Sequence, residues 1–483
     1  MKTYDVVIVG SGFGGAVAAY ELSRAGLDVC LLERGPWFAS NPVVAAGIDA
    51  RPFPRGLGFF HRAVRSITHP LFAAKGICLN ACGMLEMFAS HSVSVVCANG
   101  VGGGSHAYSG LHGRPLDSHY WDKVSAGLSE ADMAPHYQAV LQQFGSNPAP
   151  HYAQYRDESD RDYITDAEMP PSYWGYRADG ADTQQPWHHQ VNFLQEGMFG
   201  SPNGGKISLA ESYILPAIQS GLDVQALQQA REVKKTGDGF VVETTNLENG
   251  RTQTFAARQV VMSAGCINTL KILQASVEAG AMPAIPTLGQ KFSTNADVMA
   301  MWLVNDKRNN AADGPYQKVY QPRNEKKLIQ ILQAGISGLA SIPMPAFLRV
   351  FFQRQLFLAA MGEDNSDGEV CFRSGKLHID FDVENDEALK SIKENLRSIA
   401  ARRKKALFIP RKITTVHPLG GAVIGDHAAT SVVNAAGEVH NIPGLYITDA
   451  SVFPRALAAP PSWSIAAWSR HVSLGIVAGH GNA

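Results

Sequence analysis

Gly10, Gly12 and Gly15 stand in G-x-G-x-x-G spacing, and Glu33 follows about 20 residues on. Residues of these types at this spacing bind a dinucleotide. Gly10 permits a tight turn, Gly12 lets the backbone approach a pyrophosphate, and Gly15 lets a helix pack close to a strand. The helix start that follows offers free N–H groups and a positive dipole end to phosphates. Glu33 is placed to accept hydrogen bonds from a ribose 2′-OH, and its charge disfavours a 2′-phosphate. FAD and NAD both remain open on these residues. A second glycine-rich turn, Asn99-Gly-Val-Gly-Gly-Gly-Ser105-His106, lets the backbone come close to another body.

The elements that must position these residues are legible around them. Val6-Val7-Ile8-Val9 is a short β-branched run, expected as a strand buried on both faces. An Ala-rich helix follows, and Val29 to Leu32 is the second strand of a βαβ unit closed by Glu33 and Arg34. Further on, helices are expected over 133–144, 206–221, 268–275 and 391–407, with a last one from about Ser462. Strands are expected at 224–227, 239–245, 258–265 (running into small residues) and 377–381. Phe347 to Ala360 is strongly apolar with helix-compatible spacing, and is expected to line or cover a pocket for a bulky, weakly polar substrate. The basic run Arg402–Lys405 reads as a solvated helix end.

A chain of 483 residues is long for one core, so two domains are expected. Its 45% hydrophobic and 18% charged residues suit a globular protein. A formal net charge of −1 gives no reason to expect nucleic acid as a partner. The six cysteines show neither a disulfide framework nor a zinc spacing and are expected as thiols, with no metal site. No secretory signal and no apolar run long enough to span a membrane is visible, so a cytoplasmic location is expected.

Taken in order along the chain, several stretches resemble the glucose–methanol–choline (GMC) oxidoreductase family, nearest its cholesterol-oxidase-like branch. They are the N-terminal βαβ unit, the turn Gly100–Ser105, Ser263-Ala-Gly-Cys-Ile-Asn268, His417-Pro-Leu-Gly-Gly421 and Gly444-Leu-Tyr-Ile-Thr-Asp449-Ala-Ser-Val-Phe-Pro454. The resemblance implies an α/β fold: a Rossmann-type FAD-binding domain (1–115, 200–285 and 410–483) with a discontinuous α+β substrate domain (116–199 and 286–409) on a mostly antiparallel sheet. It implies FAD, with cofactor-binding positions at Gly10, Gly12, Gly15, Glu33, Arg34, Gly103, Ser105, His106, Val233, Ala264, Gly265, Asp449, Ala450 and Pro461. Val233 matches the position whose backbone meets the adenine. The implied partners are a small-molecule alcohol and an electron acceptor, O2 or a quinone or protein carrier.

The implied chemistry removes hydride from a C–OH carbon of a bulky, lipophilic or cyclic alcohol. His417 matches the family's active-site histidine, and a histidine is suited to taking the hydroxyl proton. Two departures stand out. The family pairs that histidine with an Asn or second His before the last helix, where this chain reads Ala459-Pro460-Pro461-Ser462. Pro460 has no side-chain donor or acceptor, leaving Ser462, Tyr108 or His471 to replace the partner. The missing partner also admits C–C or C–N dehydrogenation or a redox-neutral flavin reaction; a further alternative is a non-catalytic FAD-binding protein that contacts a partner through the basic helix. The second departure is His106, which follows the serine of the glycine turn, where choline and pyranose oxidases bond the flavin covalently. A covalent link at His106 is therefore expected.

Overall fold

The computed structural model describes residues 2–69, 76–148, 173–177, 192–305, 318–322, 326–373, 376–402 and 404–480. β1 (Thr3–Val9), α1 (Phe13–Arg24) and β2 (Val29–Leu32) form the opening βαβ unit. Val6 to Val9 and all of β2 are buried, as their unbroken apolar character requires of a strand covered on both faces. The chain returns to this sheet with β3 (Asp223–Gln225), β4 (Gln228–Lys235), β5 (Phe240–Asn246) and β6 (Thr252–Met262), then enters α2 (Cys266–Glu278). The spatial order is β3-β2-β1-β6-β5-β4. β1 lies parallel between β2 and β6, with Val7 opposite Cys30 on one side and Val260 on the other. β4, β5 and the first half of β6 make an antiparallel meander.

A second, five-stranded sheet is antiparallel throughout. At its centre β7 (Val298–Leu303), β8 (Ile329–Ala334) and β9 (Leu356–Gly362) lie in the order β8-β9-β7. α3 (Ala346–Gln353) precedes β9. The apolar stretch 347–360 is therefore not one helix. The chain breaks at Arg354 and Gln355, and β9 buries Leu356 and Leu358 in the core while Phe357 and Ala359 to Met361 line the cavity. The helical half is largely exposed, with Phe347 71% exposed. The segment 387–402 is helical and covers the other face of this sheet with Leu389, Ile392 and Leu396. Of the basic run at its end, residue 403 lies outside the described residues, as do 149–172 and 178–191 of the expected stretch 116–199.

β10 (Leu445–Ile447) joins the first sheet in parallel beside the end of β6. α4 (Ser462–His480) then packs along α1, where Ser469 Oγ donates to the Gly14 carbonyl at 2.6 Å. α4 begins at Ser462 because Pro460 and Pro461 cannot continue a helix backwards. No helix among the described residues is long and apolar enough to cross a membrane.

Candidate active site

The carboxyl ends of β1, β2, β6 and β10 open onto one cavity of about 690 Å³, where open α/β sheets bind their ligands. Its floor is the glycine turn after β1. Gly10 (φ +98°) and Gly265 (φ +83°) hold left-handed backbone that other residues strain to adopt. A Cβ on Gly12 or Gly265 would meet nothing within 4 Å and would project into open space. The α1 start is bare: Gly12 gives no side-chain cap and no acid sits in the first turn, so its N–H groups stay available to phosphate oxygens. Gly15 does not line the cavity. A Cβ there would overlap the Gly10 carbonyl, so this glycine serves close helix–strand packing.

Glu33 and Arg34 line the β2 side. Glu33 Oε2 accepts from Ser11 N (3.1 Å) and Ser11 Oγ (2.6 Å), and its Oε1 accepts from Gly35 N at 2.7 Å. Its carboxylate thus ties the first glycine turn to the end of β2. Arg34 pairs with Glu86 at 2.7 Å, and Arg65 pairs with the same carboxylate at 3.0 Å. Burial drives the Glu86 carboxyl up, but the Arg34 and Arg65 guanidiniums outweigh it and hold it at about 2. Gln228, Gln229, Ala230 and Arg231 of β4 complete this end. Val233 is not in the wall: it is fully buried and its N–H donates to Ser276 Oγ at 2.9 Å.

Ala264, Gly265, Asp449, Ala450 and Gly103 all line the cavity. The Asp449 carboxylate is occupied by the protein itself. It accepts from Gly265 N (3.0 Å), Thr269 Oγ1 (2.5 Å), Ser451 N (3.0 Å) and Ser451 Oγ (2.6 Å), locking β10 to the start of α2. Burial nevertheless raises its pKa.

The second glycine turn places Ser105 and His106 behind the cavity wall. Ser105 is buried and structural, donating to Gly102 O at 2.8 Å and accepting from Leu209 N at 3.0 Å. His106 is 3% exposed and absent from the cavity wall. Its ring is packed edge-on by Phe38 and Phe53, at 5.4 and 5.5 Å, and its Nε2–H donates to the Val101 carbonyl at 2.7 Å. Burial lowers its pKa to about 4, so it is a neutral packing residue. Lys206, which no motif marks, holds the turn: its ammonium donates to the carbonyls of His106 (2.9 Å), Tyr108 (3.0 Å) and Gly197 (2.6 Å).

At the far side His417 lines the cavity beside Pro460, Pro461 and Ser462. Its Nδ1–H donates to Asp297 Oδ1 at 3.0 Å. Asp297 is buried, and its Oδ2 accepts from Thr415 Oγ1 (2.8 Å) and Val416 N (3.1 Å). The carboxylate fixes the imidazole tautomer, so the Nε2 lone pair is the free one. Asp297 sits in Ser293-Thr-Asn-Ala-Asp297, which matches no motif, so it could be found only by contact. The ring of Tyr108 lines the cavity, but its hydroxyl donates to Ile207 O at 3.2 Å, away from His417. His471 is elsewhere, with Nε2 on Ala435 O at 3.0 Å. Around His417 the wall is apolar: Met299 of β7, Leu332 of β8, Phe357, Ala359 and Met361 of β9, and Ile465 of α4.

A floor of cavity-facing glycine backbone, a bare helix start and a carboxylate at the β2 end fit an extended dinucleotide. Comparison with known proteins agrees. Residues 5–89 match the family described as "FAD dependent oxidoreductase", and residues 359–469 match that described as "GMC oxidoreductase". The chain is 24% identical to a cholesterol oxidase of Mycobacterium tuberculosis, over 96% of this chain and 89% of that protein. It is 24% identical to a cholesterol oxidase of Acinetobacter baumannii, over 99% and 95%. An oxygen-dependent choline dehydrogenase of Staphylococcus xylosus is 25% identical over 62% of this chain and 53% of its own length. Fold, cavity and relatives define an FAD-dependent oxidoreductase acting on CH–OH groups. The chain thus carries a segment like the GMC oxidoreductase C-terminal domain and one like the FAD-dependent oxidoreductase domain, and resembles cholesterol oxidases over most of its length.

Proposed function

We propose that this enzyme oxidises a secondary carbinol of a bulky, lipophilic, cyclic alcohol to the ketone. The observation that carries the reading is the Asp297-held His417 opening onto the apolar part of the cavity. The similarity of the whole chain to two cholesterol oxidases points the same way. Bound FAD supplies the acceptor for the hydride that leaves the carbinol carbon. His417 Nε2 takes the hydroxyl proton, so the alcohol loses one hydride and one proton and a C=O bond forms. The positive charge that His417 gains is stabilised by Asp297 through Nδ1–H. The Met299, Leu332 and Phe357 side chains exclude water and favour ring hydrocarbon by about 25 cal/mol per Å² of apolar surface they cover.

For the cofactor, Gly10, Gly12 and the α1 start would hold the pyrophosphate, Glu33 and the β4 backbone at Gln229–Arg231 the adenosine, and Ala264, Gly265, Ala450 and Pro461 the remainder. The buried, aromatic-packed ring of His106 supports a flavin held without a covalent bond. Acid denaturation should release FAD free of the polypeptide; fluorescence running with the protein on a denaturing gel would contradict this. We assign 1–115, 200–285 and 410–483 to the flavin-binding domain and 116–199 and 286–409 to the substrate domain. All strands of the seven-stranded sheet, and of a five-stranded sheet built from 64–98 and 413–415, come from the first set, and all strands of the antiparallel five-stranded sheet that holds β7, β8 and β9 come from the second. The small sheet joining Leu111–His112 to Tyr173–Trp174 crosses that division.

The direct test is anaerobic mixing of the flavoprotein with cholesterol, choline and glucose in turn. Cholesterol is expected to bleach the flavin fastest. Equal rates with all three, or no bleaching, would sink the proposal. Admitting O2 or a quinone to the reduced enzyme then identifies the electron acceptor.

A further inference from the structure

His112 is a second histidine at the site, one step behind the cavity wall. It ends the short strand Leu111–His112, is 3% exposed, and packs against Phe144 (4.9 Å between ring centres) and Tyr108 (5.6 Å). Its Nδ1 lies 3.3 Å from Ser462 Oγ. Its Nε2 is buried and makes no hydrogen bond among the described residues. Ser462 is the first residue of α4 and lines the cavity with His417.

Burial lowers the His112 pKa to about 3, so its ring carries one proton. Placing that proton on Nε2 would orphan a buried N–H, which folded proteins rarely tolerate; an orphaned acceptor is less rare. The proton therefore sits on Nδ1 and is donated to Ser462 Oγ. A hydroxyl that accepts this bond keeps its own O–H to donate. Pro460 and Pro461 beside it offer no donor of any kind, and the Tyr108 hydroxyl is turned to Ile207 O. Ser462 is thus the one donor among these candidates left to face the cavity.

The geometry points to Ser462 as the residue that donates a hydrogen bond to the substrate oxygen, with His112 as the positioning residue that aims its hydroxyl. This rests on the alcohol oxidation proposed above and replaces the contact that Pro460 cannot make. As the hydride leaves the carbon and the proton passes to His417, Ser462 O–H stabilises the charge developing on oxygen; no bond to Ser462 forms or breaks.

Two measurements on the holoenzyme test it. A 15N-histidine long-range correlation spectrum, with His112 assigned by its loss in His112→Phe, should show the Nδ1–H tautomer. An Nε2–H tautomer would make Ser462 the donor to His112 and would overturn the inference. In anaerobic stopped flow with cholesterol, Ser462→Ala should lower the limiting reduction rate by about 10²–10³-fold, the usual loss for one oxyanion donor. Flavin content should be unchanged, and Ser462→Thr should restore most of the rate. His112→Phe should lower the same rate while the pair His112→Phe/Ser462→Ala is no slower than Ser462→Ala alone. An unchanged rate in Ser462→Ala overturns the inference. A wild-type flavin that no alcohol bleaches fails the proposed function instead, and the tautomer then decides on the Ser462–His112 pair by itself.

Discussion

His417 can act as a base only while its Nδ1–H stays on Asp297. Replacing the histidine removes the proposed proton acceptor, and His417→Ala should slow flavin reduction by about 10²–10⁴-fold while FAD stays bound. Asp297→Asn tests orientation rather than basicity. Its side-chain amide can present N–H to Nδ1, which swaps the tautomer and turns the lone pair away from the cavity. A loss of about 10²-fold or more in the limiting rate is expected, with the flavin spectrum unaltered. Stopped-flow reduction of Asp297→Asn at the wild-type rate would remove the pair from the mechanism. Neither variant should change the amount of FAD bound, because neither residue lies in the glycine floor.

At the scale of elements, two short segments hold the two sides of the candidate site together. Asn295 and Ala296 both have positive φ, at 55° and 45°, directly before Asp297. Such backbone costs of order 1–3 kcal/mol per non-glycine residue and persists only where its surroundings over-determine it. Here they do. Asp364 accepts from Ser293 Oγ, Thr294 N and Ala296 N. The Asn295 side chain accepts from Leu457 N and Ala458 N and donates to Ala459 O. One asparagine therefore couples the loop that carries Asp297 to the segment that delivers Pro460 and Ser462. Asn295→Ala leaves three buried backbone groups without partners, so destabilisation of about 2 kcal/mol or more is expected, read as a lower unfolding midpoint with coincident loss of activity.

The glycines of the opening element separate by the same logic. Gly12→Ala places a methyl group in open cavity, so the apoprotein should fold normally while FAD binds at least about 10-fold more weakly, a change of about 1.4 kcal/mol. Gly15→Ala drives its Cβ into the Gly10 carbonyl and should destabilise the apoprotein itself. Equal unfolding midpoints of the two apoproteins would contradict this division.

Across the whole molecule, buried neutral histidines contribute to the response to acid. Burial lowers His106 to about 4 and His112 to about 3, from an ordinary 6.5. Between those values the unfolded chain binds protons that the folded chain refuses, so stability is full above pH 6.5 and falls as the pH drops towards 4. Each histidine adds a slope of up to about 1.4 kcal/mol per pH unit. His106→Leu should flatten the unfolding midpoint against pH across this window; an unchanged slope would show that His106 is already charged in the fold.

The strand–turn–helix at residues 3–32 was legible because every signal in it is local. A both-face-buried strand is a continuous apolar run, and a turn that admits phosphate needs glycine at set spacing. α4 was legible from Ser462 because two prolines end whatever precedes it. The cavity-lining positions of His417, Gly265 and Asp449 were legible because short motifs keep their backbone setting. The break of 347–360 into α3 and β9 was not legible, because apolar residues two, three and four apart satisfy both periods and only pairing with β7 and β8 decides. The direction in which a side chain points was likewise hidden. Nothing in the sequence showed that the His106 ring packs edge-on against Phe38 and Phe53, more than 50 residues away in the chain. Asp297 and His112 carry no sequence signature, since a carboxylate 120 residues from His417 and an imidazole 350 from Ser462 acquire their chemistry only when tertiary packing brings them within hydrogen-bond reach. Chain-local backbone geometry is written in residue type and spacing; the partners that orient a proton are chosen by the packing of distant elements.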